Sequence, residues 1–331
     1  MFSIFPMTGS LTPAPDSLSR NPMHTQALTH TETDASIRDY VTLMKPGVMS
    51  LVVFTGAVGL FLAPGSIHPF IGLVAVLAIA LGSGAGAVIN MWFDRDMDAV
   101  MKRTQKRPIP AGRIAAEDAL AMGLMLSFLS VGLLGIATNW VAAFWLGFAI
   151  LFYGVIYTML LKRTTPHNIV IGGAAGALPP VIGWAAVTGT TPLFPWLLFL
   201  VIFLWTPPHF WALALYRHDD YKNAHVPMLP VVAGPRATKR QILLYSLLLA
   251  ASAIAPALFG FAGILYLAAA GLLSLRFVMG ALTVLRSDNP RDAMRLFGFS
   301  ILYLFALFTA LVADRVLAII WPHMPISFSL L

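Results

Sequence analysis

Asn90, Asp94 and Asp98 recur at intervals of four in the stretch NMWFDRDMD, and oxygen donors at that spacing suit a hard divalent cation. Each step of four on an α-helix turns the chain by ~400°, so successive side chains lie only ~40° apart and the stripe covers ~12 Å of the axis. Oxygen ligands in small number suit Mg2+, which keeps some waters and shares its shell with phosphate oxygens. The run KRTQKRPIPAG follows, bringing Lys102, Arg103 and Arg107. Bases beside a carboxylate stripe fit a metal-bridged anion such as a diphosphate. The plainer alternative is a hydrophilic loop whose carboxylates pair with Arg95 and Lys102; Asn90 on the same stripe and the density of bases weigh against it. Asp96 falls off the stripe and is expected in solvent. A second acidic stretch, YRHDDYKNAHVPMLP at 216–230, contributes Asp219 and Asp220, which taken alone read as ordinary loop carboxylates.

The elements that must position these residues are apolar. Of the 331 residues 58% are hydrophobic and 11% charged, against ~25% charged in soluble domains, and the mean hydropathy is +0.81. A soluble globule is excluded. The 48 residues from Pro46 to Phe93 contain no Asp, Glu, Lys or Arg. That is about twice the ~20 needed to cross a bilayer, so a helical hairpin is expected, broken at APGSIHP (63–69). The same argument divides Ala119 to Leu161 at TNW and Thr164 to Tyr216 at TGTTPLFP. Three further spans, Ile242 to near Phe261, Gly263 to near Leu285 and Leu296 to Ala313, complete nine. The expected class is an all-α polytopic membrane protein with nine transmembrane helices.

Lys and Arg then collect in every second loop: Arg95 to Arg113, Lys162 and Arg163, Arg217 to Arg240, and Arg286 to Arg295. By the positive-inside bias these loops and the N-terminus face the cytoplasm, the C-terminus lies opposite, and both acidic stretches share the cytoplasmic side. Orientation explains the net charge of +7 better than nucleic acid does. Residues 1–35, rich in Ser, Thr and Pro, read as a disordered tail before one intramembrane domain over 36–331. The tail lacks the marks of a signal peptide, holds only Arg20 where a transit peptide has several arginines, and contains Met23 as a second candidate start. With no cysteine, thiolate metal sites and a cysteine nucleophile are excluded.

At these residues the sequence resembles the UbiA-like superfamily of intramembrane prenyltransferases, whose N-x-x-x-D-x-x-x-D pattern is matched by Asn90, Asp94 and Asp98. Three longer strings, NIVIGGAAGALPPVIGWAAVTG (168–189), LWTPPHFWALA (204–214) and DDYKNAHVPMLPV (219–231), narrow the resemblance to the branch that farnesylates haem. It covers about Tyr40 to the last helix. One departure stands out. Four residues beyond Asp219 and Asp220 are Asn223 and Ala224, so the second D-x-x-x-D often found in the superfamily is incomplete.

The resemblance implies a helical bundle around a central lipid-accessible cavity. It also implies transfer of farnesyl from farnesyl diphosphate to a vinyl group of haem b, which is a substrate rather than a cofactor. Mg2+ would sit at Asn90, Asp94 and Asp98 with help from Asp220 and Asp219, while Lys102, Arg103, Arg107, Lys162 and Arg163 contact phosphate oxygens. The partners implied are the lipid bilayer, here a bacterial inner membrane, and a downstream haem A synthase or terminal oxidase assembly.

His209, beside Pro207 and Pro208 in the sixth span, is a candidate to ligate haem iron or orient a propionate; satisfaction by a backbone carbonyl freed by the prolines is at least as good a reading. Tyr153 and Tyr157 are candidates to line the prenyl pocket or to anchor at the interface. GGAAGALPP favours close helix packing. Arg276, Asp314 and Arg315 are costly against lipid and should point inward or snorkel. Rival readings are a transporter, which would place ionisable groups near mid-bilayer, a prenyltransferase acting on a quinone precursor or chlorophyll-like ring, and a haem chaperone, which has no need of the carboxylate stripe.

Overall fold

The structure, a computed structural model, describes residues 35–224 and 226–321. Except for Ala35, the expected tail lies outside the described residues, as does His225. Every regular element among them is helical. In order these are α1 (Ile37–Leu43), α2 (Pro46–Leu62), α3 (Pro69–Phe93), α4 (Arg95–Val100), α5 (Ala116–Ala137) and α6 (Trp140–Leu151), which continues as a π-helix over Phe152–Leu161. Then come α7 (Asn168–Ala177), α8 (Pro179–Thr188), α9 (Leu193–Tyr216), α10 (His218–Asn223), α11 (Leu229–Val232), α12 (Gly234–Leu258), α13 (Ile264–Arg286) and α14 (Pro290–Ile320).

Eight helical segments among the described residues are long and apolar enough to span a bilayer, and α1 with α2, bent by 56°, makes a ninth. This protein is an integral membrane protein. The expected breaks are observed, but the helices run past the apolar runs. α12 starts at Gly234 rather than near Ile242, taking Arg236, Lys239 and Arg240 into its first turns, and α14 spans Pro290–Ile320 rather than 296–313. Hydropathy marks the oil, whereas Pro235 and Pro290, within the first turn of their helices, mark where the backbone begins to coil. α1 was not anticipated because it is only seven residues long and precedes the uncharged run; the capping box between Ser36 and Asp39 starts it.

The two largest packed clusters share most of the bundle. One joins α9, α12, α13 and α14 to α2 through Phe194, Trp211, Tyr266, Phe277 and Phe308. The other joins α3, α5, α6 and α8 through Ile79, Leu134, Leu146 and Ile182. Between them α8 is enclosed, with Pro179 to Ala186 all buried.

Asp314 points inward as expected, and its purpose is visible. Its carboxylate accepts from the backbone N–H of Gly263 (2.7 Å) and of Tyr266 (3.2 Å), so α14 caps the first turn of α13, which has no cap of its own. An anion there also meets the positive end of the helix dipole. Asp314→Ala is expected to cost ~1–3 kcal/mol, read as a lower melting temperature in detergent with diphosphate binding unchanged. An unaltered melting temperature would remove the capping role. Arg276 takes the other solution, lying exposed with its guanidinium 5.0 Å over the Phe299 ring.

Candidate active site

Asn90, Asp94 and Asp98 are brought together as the spacing required, although the helix is not continuous. α3 ends at Phe93 and α4 begins at Arg95, with Asp94 at φ −85°, ψ 7° between them. The hydrogen-bond ladder nevertheless carries through, from Asp94 N–H to the Asn90 carbonyl (3.0 Å) and from Asp98 N–H to the Asp94 carbonyl (2.8 Å). All three side chains are buried, Asp94 completely. Burial of carboxylates at this depth needs compensating partners.

The partners come from two other elements. The π-helix after α6 widens the turn so that the Thr158 hydroxyl donates to the Tyr153 carbonyl five residues back (2.7 Å). Its oxygen then accepts from Asn90 Nδ2 (3.1 Å), which also donates to Asp94 Oδ2 (2.8 Å). Lys162, at the end of the same π-helix, pairs with Asp94 Oδ2. From the bend between α1 and α2, Lys45 Nζ donates to Asn90 Oδ1 (2.7 Å). Lys45 has a left-handed backbone, φ 55° and ψ 59°, and is the one non-glycine residue with positive φ among the described residues. Such a conformation costs ~1–3 kcal/mol and persists where the surroundings enforce it. Here Pro46 disfavours a right-handed backbone before it, and the preceding Met44 packs on Gly84 of α3.

Of the bases expected on phosphate, Arg107 binds Asp98 Oδ2 (2.6 Å) and Lys162 binds Asp94, so both sit in the site. Lys102 and Arg103 are exposed. Arg163 is turned mainly to Asp96 through two bonds of 2.6 and 2.8 Å, and its guanidinium lies 3.7 Å from Asp94 Oδ1. Asp96 is therefore not simply solvated. It remains largely exposed, but the Arg163 fork holds its carboxyl down to about 2.

The second acidic stretch contributes less than expected. Asp219 is turned to solvent, its side chain 94% exposed and beside His218. Asp220 is turned inward, 18% exposed, and loosely paired with Arg217 at 3.9 Å. Tyr221 ties this stretch to the first, packing in one apolar cluster with Met97 and Met101. Burial raises its hydroxyl pKa, opposed by the nearby Arg103 and Arg107.

The donor set fits Mg2+. Asp94 Oδ1 is buried without a hydrogen-bond partner, and Asn90, Asp94 and Asp98 offer oxygen only. Among the described residues no three His, Cys, Asp or Glu side chains close into a cage.

His209 is buried, stacked between Trp205 (4.3 Å) and Phe297 (4.5 Å). Its partner is not a carbonyl freed by the prolines but Ser300 Oγ, 2.6 Å from Nδ1. The Ser300 hydroxyl spends its hydrogen on the Phe297 carbonyl (2.6 Å), so Nδ1–H donates and Nε2 keeps a free lone pair. Tyr153 and Tyr157 stack on each other (5.3 Å) against Gly86 and Gly172, so they are interior groups rather than interface anchors.

Lys45 and Thr158 were missed from the sequence. Lys45 had a signal, as the last cation before a 48-residue uncharged run. Thr158 had none, since FYGVIYTMLL reads as any apolar span.

The UbiA prenyltransferase family model matches residues 52–312. A protoheme IX farnesyltransferase of Sinorhizobium fredii is 57% identical over 293 residues, 87% of this chain and 92% of that protein. Among solved structures, one from work on digeranylgeranylglyceryl phosphate synthase has a TM-score of 0.71 at 20% identity, covering 84% of this chain and 98% of that one. A UbiA homolog from Archaeoglobus fulgidus bound to DMAPP and Mg2+ has a TM-score of 0.61 at 17% identity, covering 83% and 99%. At these identities the two structures establish a common fold.

Proposed function

The chain belongs to the UbiA prenyltransferase family, and from that premise we propose that it transfers the farnesyl group of farnesyl diphosphate to a vinyl group of haem b. The observation that carries this reading is the buried Asn90, Asp94, Asp98 stripe with cations facing it, in a chain more than half identical to a protoheme IX farnesyltransferase.

Asn90, Asp94 and Asp98 would hold Mg2+, with Asp220 the nearest candidate from the second stretch; Asp219, turned outward, is a weaker one. When bound, Mg2+ supplies Lewis acidity to the departing diphosphate. Lys162 and Arg107 lie on the same carboxylates and offer their remaining donors to phosphate oxygens, with Arg103, Lys102 and Arg163 at the rim. The C1–O bond of the donor breaks with its electron pair leaving on diphosphate. The vinyl π electrons then form the new C–C bond, and water adds to the resulting cation with loss of a proton, giving a hydroxyethylfarnesyl side chain. No side-chain nucleophile is needed. Tyr153 and Tyr157, stacked on each other, are the candidates to line the prenyl pocket, where the farnesyl tail and the electrophile would be kept from bulk water. His209, with Nε2 free, is the candidate axial ligand for haem iron.

The basic loops support placing this end of the bundle at the cytoplasmic side of a bacterial inner membrane. The hydrophobic product suits direct handover to a haem A synthase or a terminal oxidase assembly.

Purified protein given haem b, labelled farnesyl diphosphate and Mg2+ is expected to yield farnesylated haem by mass spectrometry. Chelation of the metal should abolish the product and re-addition should restore it. Absence of that product from folded protein, or labelling of a quinone precursor in its place, would reject the assignment.

A further inference from the structure

Thr206, Thr238, Thr283 and Thr309 each donate to the carbonyl four residues back, the usual habit of a hydroxyl within an α-helix. Thr158 donates to Tyr153, five back. The π-helix that carries Thr158 accounts for the difference, and its wider turn lies close against α3, where a Cβ on Gly154 would stand 3.3 Å from Ile89 Cγ2. With that hydrogen committed to Tyr153, the buried Thr158 oxygen can only accept from Asn90. It therefore receives Nδ2 and turns Oδ1 the other way.

Asn90 Nδ2 has one other partner, Asp94 Oδ2. Asp94 is itself a candidate ligand, so a bound ion competes for its oxygens, whereas Thr158 is uncharged, sits on another element and keeps its place. With Nδ2 held, Oδ1 is the atom left to face a cation; it accepts from Lys45 Nζ (2.7 Å) and retains a second lone pair. We propose that Thr158 is a positioning residue that holds the Asn90 amide with its oxygen toward the divalent ion, the π-helix aiming its hydroxyl at α3. This rests on the reading of the Asn90, Asp94, Asp98 stripe as a metal site.

The test uses full-length protein in detergent carrying Thr158→Val, which keeps the shape and removes the acceptor, or Thr158→Ser, which keeps the acceptor. Mn2+, which shares the oxygen preference of Mg2+, is titrated without substrate by loss of the free-ion paramagnetic resonance signal. Pyrophosphate without metal is titrated by calorimetry, and melting temperatures are compared. Thr158→Val is expected to weaken Mn2+ binding ~10–100-fold, the range for groups that orient a metal ligand without touching the ion. The Mg2+ concentration for half-maximal turnover should rise by a similar factor, metal-free pyrophosphate binding should not change, and Thr158→Ser should recover most of the loss. In an Asn90→Ala background Thr158→Val should add little, because the effect runs through that amide. Wild-type Mn2+ affinity in Thr158→Val overturns the proposal, as does a loss that adds in full to that of Asn90→Ala. If Thr158→Val and Thr158→Ala both lose Mn2+ and pyrophosphate binding together with melting temperature, Thr158 is merely structural and the proposal fails. If wild-type protein itself takes up no Mn2+, the metal reading of the stripe falls along with it, whereas equal uptake by wild type and Thr158→Val removes Thr158 alone.

Discussion

Asp94→Asn is expected to lower turnover by about 10²–10³-fold while the protein still folds, the scale seen when a group stabilising transition-state charge is removed. The substitution is nearly isosteric, and the remaining carbonyl can still accept from Asn90 Nδ2. What disappears is one negative charge at the only fully buried carboxylate of the stripe, the one whose Oδ1 has no hydrogen-bond partner. A metal ion held by few protein oxygens loses much of its affinity with each charge removed. The local electrostatics supply a second readout. With Asp94 neutral, Lys162 loses the carboxylate it pairs with and the site becomes more positive. Pyrophosphate should therefore bind at least as well without metal as in the wild type, even as Mg2+-dependent turnover collapses. Near-normal activity would remove Asp94 from the metal site, and equal losses of metal-free and metal-dependent binding would point to misfolding.

Gly183→Ala should be the most damaging single methyl in the fold. A Cβ at Gly183 would clash with the Gly56 carbonyl oxygen and stand 2.8 Å from Leu60 N, and one at Gly59 would stand 2.6 Å from Pro180 Cα. These neighbours are backbone, so α2 and α8 must separate to admit it. Overpacking costs ~1–3 kcal/mol where side chains can yield; here the upper end or beyond is expected, seen as a lower melting temperature and poor recovery from membranes. Gly176→Ala, in α7, is the control, because its Cβ meets nothing within 4 Å and alanine is the better helix former. If both variants melt alike, close α2 to α8 contact is not what the glycines provide.

Much of this arrangement was legible in the order of residues. Spacing by four announced the Asn90, Asp94, Asp98 stripe, and it holds even though the helix breaks at Asp94, because the i to i+4 ladder continues across the break. Apolar runs located the spans but not their ends, since Arg236 and Arg291 are coiled into helices that the oil does not reach. What could not be read were pairings set by tertiary approach. Nothing local says that Arg163 turns to Asp96, that a π-helix turns Thr158 toward Asn90, or that the buried acid Asp314 caps another helix. Charge alone could not separate Asp220 from Asp219, which differ by one residue and face opposite ways; the helical phase of α10 decides that.

Both links from α9 to Ser300 span most of the C-terminal third of the chain. The Trp205 indole N–H donates to the Ser300 carbonyl across 95 residues, and the His209 imidazole meets the Ser300 hydroxyl across 91. A ribosome adding ~5–20 residues per second takes roughly 5–20 s to cover that distance. Throughout this interval the nascent protein carries an imidazole whose tautomer nothing has yet chosen. Insertion of the last span is thus the event that matures His209, and a chain terminated before Ser300 would reach the membrane with its carboxylate stripe complete and its histidine unset.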